Sequence, residues 1–425
     1  MAPIGVRISF QSSMRSALHR ALLAVVAATA LSCKSESGSP GGPGPGPVLP
    51  EPFPDCPANR ICTFTFSLQR YYTPAYDSTL AKFDYVITNA NGIDIGLAAA
   101  VSPDVPVVIY EPMRFRSSLC PTCSYEDWPT LDAHEEWFWH DASGNRVRYD
   151  TIPYWFMDYR NTDYLDYLVA RLLALKAQYP VIDGFFADQH GPYSGFTDYD
   201  VPRMFPNPIS PIPMQAEFDQ YNVAAAAYLS ERLGSLHIVL NSNSYPGFNG
   251  TVDGSMDEGF VTDNFGSDTT YFPESFWKQY VDRLADPSAA GKFLFPYTKC
   301  IESQFATRNR RYGLASYLLG RRVDGYAFFC FQADTDTLPQ WFAEYDTPTG
   351  APLGDYYEHP SGLWVREFEN GIAVVHADDA KGDLTLSLTG ALAGTYVDWD
   401  GVCHGGAVVI PANTGHFLLR SSCTP

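Results

Sequence analysis

The chain holds 425 residues, 45% hydrophobic and 18% charged, a globular composition with enough apolar mass for one large domain and a smaller one. A formal net charge of −20 argues against nucleic acid and anionic membrane surfaces as partners. Removing residues 1–33, which carry three arginines and no acid, takes the charge to −23.

At the N-terminus, Arg7, Arg15, His19 and Arg20 precede the apolar run Ala21–Leu31 and then Ser32-Cys33. That is the basic, apolar, small-residue order of an export signal, and the run is too short to span about 30 Å of hydrocarbon. Residues 1–33 resemble a bacterial lipoprotein signal with Cys33 as the lipid-bearing residue, and residues 34–54 are a Gly/Pro/Ser-rich tether. Ala30 stands where such signals prefer Leu, so ordinary signal-peptidase cleavage stays as the alternative, and Met14 is an alternative start. The expected location is outside the cytoplasm, in the periplasm or on the cell surface, held by a lipid anchor.

From residue 55 to 346 short apolar runs alternate with amphipathic stretches, the grammar of a parallel sheet covered by helices. Eight runs read as strands: Ile61–Ser67, Asp84–Thr88, Val105–Tyr110, Ile182–Ala187, Ile238–Asn241, Val252–Asp257, Lys292–Tyr297 and Gly325–Phe331. Eight strands in this length predict an α/β fold, a (β/α)8 TIM barrel. Helices are expected over Tyr164–Gln178, capped by Asn161, and over Met214–Gly234, Glu274–Leu284 and Glu302–Leu319. A long insertion, Glu111–Arg160, carries Trp128, Trp137, Trp139 and Trp155, and long loops on such barrels commonly build the site. Beyond Gly350 the pattern changes to short alternating runs separated by Gly, Asp and Asn, which predicts a small C-terminal antiparallel β-sandwich over 355–425.

Nine cysteines less a lipidated Cys33 leave eight, an even number that in an exported chain favours disulfides. Sequence proximity suggests Cys56 with Cys62, Cys120 with Cys123 and Cys403 with Cys423, leaving Cys300 with Cys330; other connectivities stay open, as does a zinc or redox role for Cys120 and Cys123.

A phrase recurs along the barrel: Asp183-Gly184-Phe185-Phe186-Ala187-Asp188, then Asp253-Gly254-Ser255-Met256-Asp257-Glu258, then Asp324-Gly325-Tyr326-Ala327-Phe328-Phe329. The first two copies end in an acid, and the third offers Phe329 as a wall of the mouth. Catalytic groups of such barrels stand where strands run into their following loops, so Asp188 on strand four and Glu258 on strand six are the candidate catalytic pair. Two strand spacings of about 4.8 Å set their backbones on the order of 10 Å apart, and converging side chains can close that toward the roughly 5–9.5 Å of glycosidic carboxylate pairs. A shift of register would favour Asp257, and Asp263 is a further rival for the strand-six acid.

Candidate substrate-binding residues at the same face are Glu111, Asn241, Asn243, Lys299, Asp263 and His190, with Tyr71, Tyr72 and the insertion tryptophans suited to stacking on sugar CH faces. No Gly-x-Ser-x-Gly, phosphate loop or dinucleotide fingerprint occurs, and His134 and His140 are too far apart for a zinc helix. No metal and no cofactor is expected.

Together, Met157-Asp158-Tyr159-Arg160-Asn161 opening a helix, the strand ending in Asp188, Asp257-Glu258-Gly259-Phe260, and Asp324-Gly325-Tyr326 on the last strand resemble hypothetical glycoside hydrolase family 15, over about residues 60–420. The resemblance implies a barrel glycosidase, with its catalytic acids falling here on Asp188 as nucleophile and Glu258 as proton donor. The expected function is an exported hydrolase of poly- or oligosaccharide with a two-carboxylate mechanism, its donor carrying a raised pKa. The alternative is a surface lipoprotein that binds polysaccharide without cleaving it.

Overall fold

A computed structural model describes residues 56–67, 79–90, 92–101, 104–117, 127–149, 154–188, 201–241, 251–262, 270–286, 292–300, 303–323, 326–333 and 339–424. Strands β1 (Phe64–Ser67), β2 (Tyr85–Asn89), β3 (Val107–Pro112), β4 (Ile182–Asp188), β5 (His237–Asn241), β6 (Gly254–Glu258), β7 (Phe293–Cys300) and β8 (Tyr326–Ala327, continuing as Cys330–Ala333) pair in parallel in chain order. The ring closes where the Phe64 amide donates to the Phe329 carbonyl at 3.1 Å and the Phe329 amide to the Cys62 carbonyl at 2.9 Å. Between the strands lie helices α1 (Gly92–Val101), α2 (Trp128–Asp132), α3 (Thr162–Gln178), α4 (Gln215–Leu233), α5 (Glu274–Ala285) and α6 (Ala306–Gly320). Among the described residues no helix is long and apolar enough to cross a membrane.

The strand period of two sorts the side chains into two cores. Phe64, Tyr85, Ile87, Val108, Phe186, Val239, Met256, Phe293, Phe295 and Phe328 fill the interior, where rings pack edge to face. Their neighbours Val86, Val107, Ile109, Phe185, Ile238 and Leu240 face the helices, meeting Leu165, Leu168 and Leu172 of α3. Asn161 starts that helix as expected, its side-chain oxygen accepting from the Asp163 amide at 2.9 Å.

The repeated Asp-Gly acquires a physical cause at the closed end of the barrel. A Cβ on Gly184 would lie 2.8 Å from the His237 carbonyl oxygen, and one on Gly254 2.3 Å from the Phe293 Cβ, so the neighbouring strand leaves room for glycine alone. Asp253 ties adjoining strands, accepting the Ile238 amide at 2.8 Å, and Asp183 accepts from the Tyr85 hydroxyl at 3.1 Å. The phrase therefore marks strand starts, and the acid five residues on falls at the opposite, open end.

The C-terminal domain is one seven-stranded antiparallel sheet curled into a sandwich-like shape: β9 (Tyr357–Glu358), β10 (Trp364–Phe368), β11 (Gly371–His376), β12 (Leu384–Leu388), β13 (Thr395–Val397), β14 (Cys403–Ile410) and β15 (Thr414–Arg420). Leu363, Val365, Ile372, Val374, Leu386, Val408 and Leu418 form its own core. The other face, with Trp364, Phe368, Ala373, Val375 and Phe417, joins the buried side chains of α5 and α6 in one cluster. Helix α6 is thus covered on both sides, as its almost continuous burial requires. Arg366 of β10 donates to the carbonyls of Leu318 at 3.2 Å and Leu319 at 2.9 Å, satisfying acceptors that the end of α6 leaves open.

Cys56 is bridged to Cys62 and Cys403 to Cys423, as expected, whereas Cys120 and Cys123 lie outside the described residues. Cys300 and Cys330 do not pair with each other. Cys330 belongs to the barrel interior and Cys300 to the helix-side cluster, so the sheet itself separates their sulfurs.

Candidate active site

Among the described residues, five of the polar side chains that strand ends bring to the open end of the barrel are Tyr110 from β3, Asp188 from β4, Asn241 from β5, Glu258 from β6 and Lys299 from β7. Each shares its strand parity with an interior residue: Val108, Phe186, Val239, Met256 and Tyr297. Alternation alone therefore aims all five into one mouth. Below them, Phe66 stacks on Tyr297 with ring centroids 5.7 Å apart and meets Tyr110 and Phe186 edge to face, a floor of rings under the mouth.

Asn241 joins the two acids. Its Nδ2 donates to Asp188 Oδ1 at 2.8 Å and to Glu258 Oε2 at 2.7 Å, which bounds the separation of those oxygens at 5.5 Å, the sum of the two bonds. The second oxygen of each acid has its own donor. The Tyr110 hydroxyl donates to Asp188 Oδ2, and the Lys299 ammonium donates to Glu258 Oε1. Glu258 and Lys299 keep 23% and 24% of their side-chain surface, so the pair is reachable from solvent.

Burial pushes the Glu258 carboxyl up, but the Lys299 charge, its hydrogen bond and that of Asn241 outweigh it and hold the group below its ordinary range. The raised value expected of a proton donor at this position is therefore not found. Burial, and next the Asp188 charge, push the Tyr110 hydroxyl far up, so it stays protonated and able to donate.

Other expectations are corrected by strand parity. Glu111 is one residue from Tyr110 and faces the helices, not the mouth. It is ion-paired with Arg116 of the insertion and Arg171 of α3, with 1% of its side chain exposed. Burial raises its carboxyl, and the two guanidinium groups more than offset that. Asp257 likewise faces α5, 3.1 Å from Arg283, which removes it as the strand-six acid of the mouth. Phe329 packs against Tyr317 and Tyr345 on the helix side and is no wall of the mouth. Trp137 and Trp139 are buried in the helix-side core, whereas Trp128 and Trp155 are partly buried. Tyr71, Tyr72, His190, Asn243 and Asp263 lie outside the described residues, as do Asp324 and Gly325.

Tyr110 was missed in the sequence because the polar Glu111 beside it drew the assignment. Counting alternate residues back from the apolar interior would have found it.

The insertion builds a four-stranded sheet from Phe115–Arg116, Trp155–Phe156, Arg148–Tyr149 and Met204–Phe205. It grows from the loops after β3 and β4 and so belongs to the open end of the barrel. Among the described residues the one grouping with spacing for a metal ion, Asp398, Asp400 and His416, lies in the β-domain. There Arg311 donates to Asp400 and His404 bonds Asp398, each at 2.8 Å, so these acids tie the sheet together and to α6.

The model of hypothetical glycosyl hydrolase family 15 matches residues 100–372. A search of curated proteins found no match. Among solved structures, a noncanonic maltogenic α-amylase, AmyB, from Thermotoga neapolitana is similar at 10% identity and a TM-score of 0.48, over 85% of this chain and 99% of that one. An α-amylase from Anoxybacillus is similar at 12% identity and a TM-score of 0.48, over 87% and 99%. Likenesses of this strength say nothing of substrate or mechanism.

Proposed function

The chain belongs to hypothetical glycosyl hydrolase family 15, and from that premise we propose that this glycoside hydrolase cleaves its carbohydrate with Asp188 and Glu258 as the reacting pair. The observation that carries the reading is the Asn241 amide held between both acids, since a single nitrogen contacts two carboxylates only when they converge on one point. We take the pair as one for double displacement with retention, for which carboxyl separations of roughly 5–5.5 Å are usual; one oxygen of each acid lying within 5.5 Å of the other accords with that.

We place the enzyme outside the cytoplasm, tethered by lipid at Cys33 through residues 34–54. The basic, apolar and small-residue order of residues 1–33 supports this, and palmitate labelling that disappears in Cys33→Ala would test it.

Digestion of a glycan panel by the wild type, Asp188→Asn and Glu258→Gln tests the catalytic reading. Product from the wild type, reduced at least about a hundredfold in each variant, is the expected result. Glycan binding without product, unchanged in both variants, would instead favour a non-catalytic binder.

A further inference from the structure

The two carboxylates are held by different kinds of donor. Glu258 has the Lys299 ammonium on Oε1 and the Nδ2 of the Asn241 amide on Oε2, and neither nitrogen can accept a proton's hydrogen bond. A protonated Glu258 would thus turn its new O–H toward Asn241 or Lys299, both donors, unless one of them moved away. Asp188 has the same amide on Oδ1 but a phenol on Oδ2. A hydroxyl both donates and accepts, so Tyr110 can rotate its proton away and receive the O–H of a protonated Asp188 without displacement.

Resting on the reading of this site as a retaining glycosidase centre, we infer that Lys299 fixes Glu258 as the permanent anion, and hence the nucleophile, while Asp188 on Tyr110 carries the proton. This reverses the roles implied by the resemblance. In the first step a Glu258 oxygen attacks the anomeric carbon. The bond from that carbon to the glycosidic oxygen breaks, its electron pair stays on that oxygen, and the Asp188 proton neutralises it. In the second step Asp188, now a carboxylate, takes a proton from water as the water oxygen attacks the same carbon. Glu258 departs with the bonding pair and both acids return to their starting states. Among the described residues further ionisable groups near the pair are Tyr110 of β3 with Tyr154 close to it, Tyr297 of β7, whose ring lies 5.2 Å from the Lys299 nitrogen, and Cys330 of β8. Burial pushes the Cys330 thiol well up, which leaves Lys299 as the cation that sets the charge of Glu258.

The test compares Asp188→Ala with Glu258→Ala on the sugar that the panel identifies, using its 2,4-dinitrophenyl glycoside, whose leaving group needs no proton, with and without sodium azide. Asp188→Ala is expected to stay within about tenfold of wild type in forming the glycosyl enzyme, to be accelerated by azide and to give a glycosyl azide of retained configuration. Glu258→Ala is expected to lose at least about a hundredfold and, with azide, to give the inverted product. The opposite pattern, or equal loss in both, overturns the assignment while leaving the hydrolase reading intact. A wild type inactive on every glycan brings down that reading instead. Asp188→Asn and Glu258→Gln repeat the comparison should an alanine variant fold poorly. In Lys299→Met the acid limb of the kcat/KM profile is expected to move up by about one to three pH units, and an unmoved limb also overturns the proposal.

Discussion

Two clusters of charged side chains occupy opposite faces of the same parallel sheet, and on β3 they are one residue apart. On the helix side Glu111 and Asp127 meet Arg116 and Arg171, two acids against two cations in a closed network. At the mouth Asp188 and Glu258 accept from Asn241, Lys299 donates to Glu258 and Tyr110 to Asp188, and part of the pair is open to solvent. The first cluster anchors the insertion to α3 and the barrel wall. In the second, the side chains of Glu258 and Lys299 stay partly exposed, where a substrate can reach them.

The sharpest way to break this contrast is to exchange stability and activity readouts. At the mouth, Asp188→Asn or Glu258→Gln is expected to lower turnover by about 10²–10⁴-fold, with the denaturant midpoint little changed. Unfolding together with inactivation would make that cluster structural. On the helix side, Glu111→Gln is expected to cost about 3–5 kcal/mol of stability, because it leaves the buried Arg116 guanidinium without its acid and Arg171 with Asp127 only, while activity per folded molecule is retained. Urea unfolding beside active-site titration would decide it.

A smaller effect separates positioning from chemistry. Tyr110→Phe removes the hydrogen bond between the phenol and Asp188, worth about 1.5–3 kcal/mol once Asp188 has lost its proton, and is expected to reduce kcat roughly tenfold to a hundredfold with KM little affected. An unchanged kcat would remove Tyr110 from the site.

The smallest effect is on acid stability. Glu111 and Glu258 both lie below their ordinary value of 4.5 in the fold, so the unfolded chain binds more protons as the pH drops. Their stabilisation is present above about pH 4.5 and is lost as the pH falls through the lower folded values. Asp257, raised by burial, works in the opposite sense. The acid slope of unfolding free energy is expected to be shallower in Glu111→Gln by up to about 1.4 kcal/mol per pH unit, the value of one proton. A slope equal to wild type would mean that Glu111 is not held ionised.

Most of the barrel was legible because its signals are local. Each of the eight apolar runs corresponds to a strand, displaced by a few residues, and the Leu165, Leu168 and Leu172 spacing corresponds to α3. Helix α1 escaped notice, since Gly92–Val101 carries little amphipathic contrast for periodicity to detect. The Glu111 assignment failed for a different reason. A strand's last polar residue looks alike whichever face it takes, and only the closed ring distinguishes interior from exterior. The proposed Cys300–Cys330 bridge failed in the same way, being drawn across a sheet that divides its two ends.

What the chain by itself determined is the alternation that makes a barrel and the Asp-Gly phrase that sets a strand start five residues before an acid on β4 and β6. What only the tertiary structure decided is the company those acids keep. Tyr110, Asn241 and Lys299 reach them from three other strands, distant in sequence and made neighbours by barrel closure. Charge at a site depends on such neighbours through distance and burial, and neither is written in local sequence.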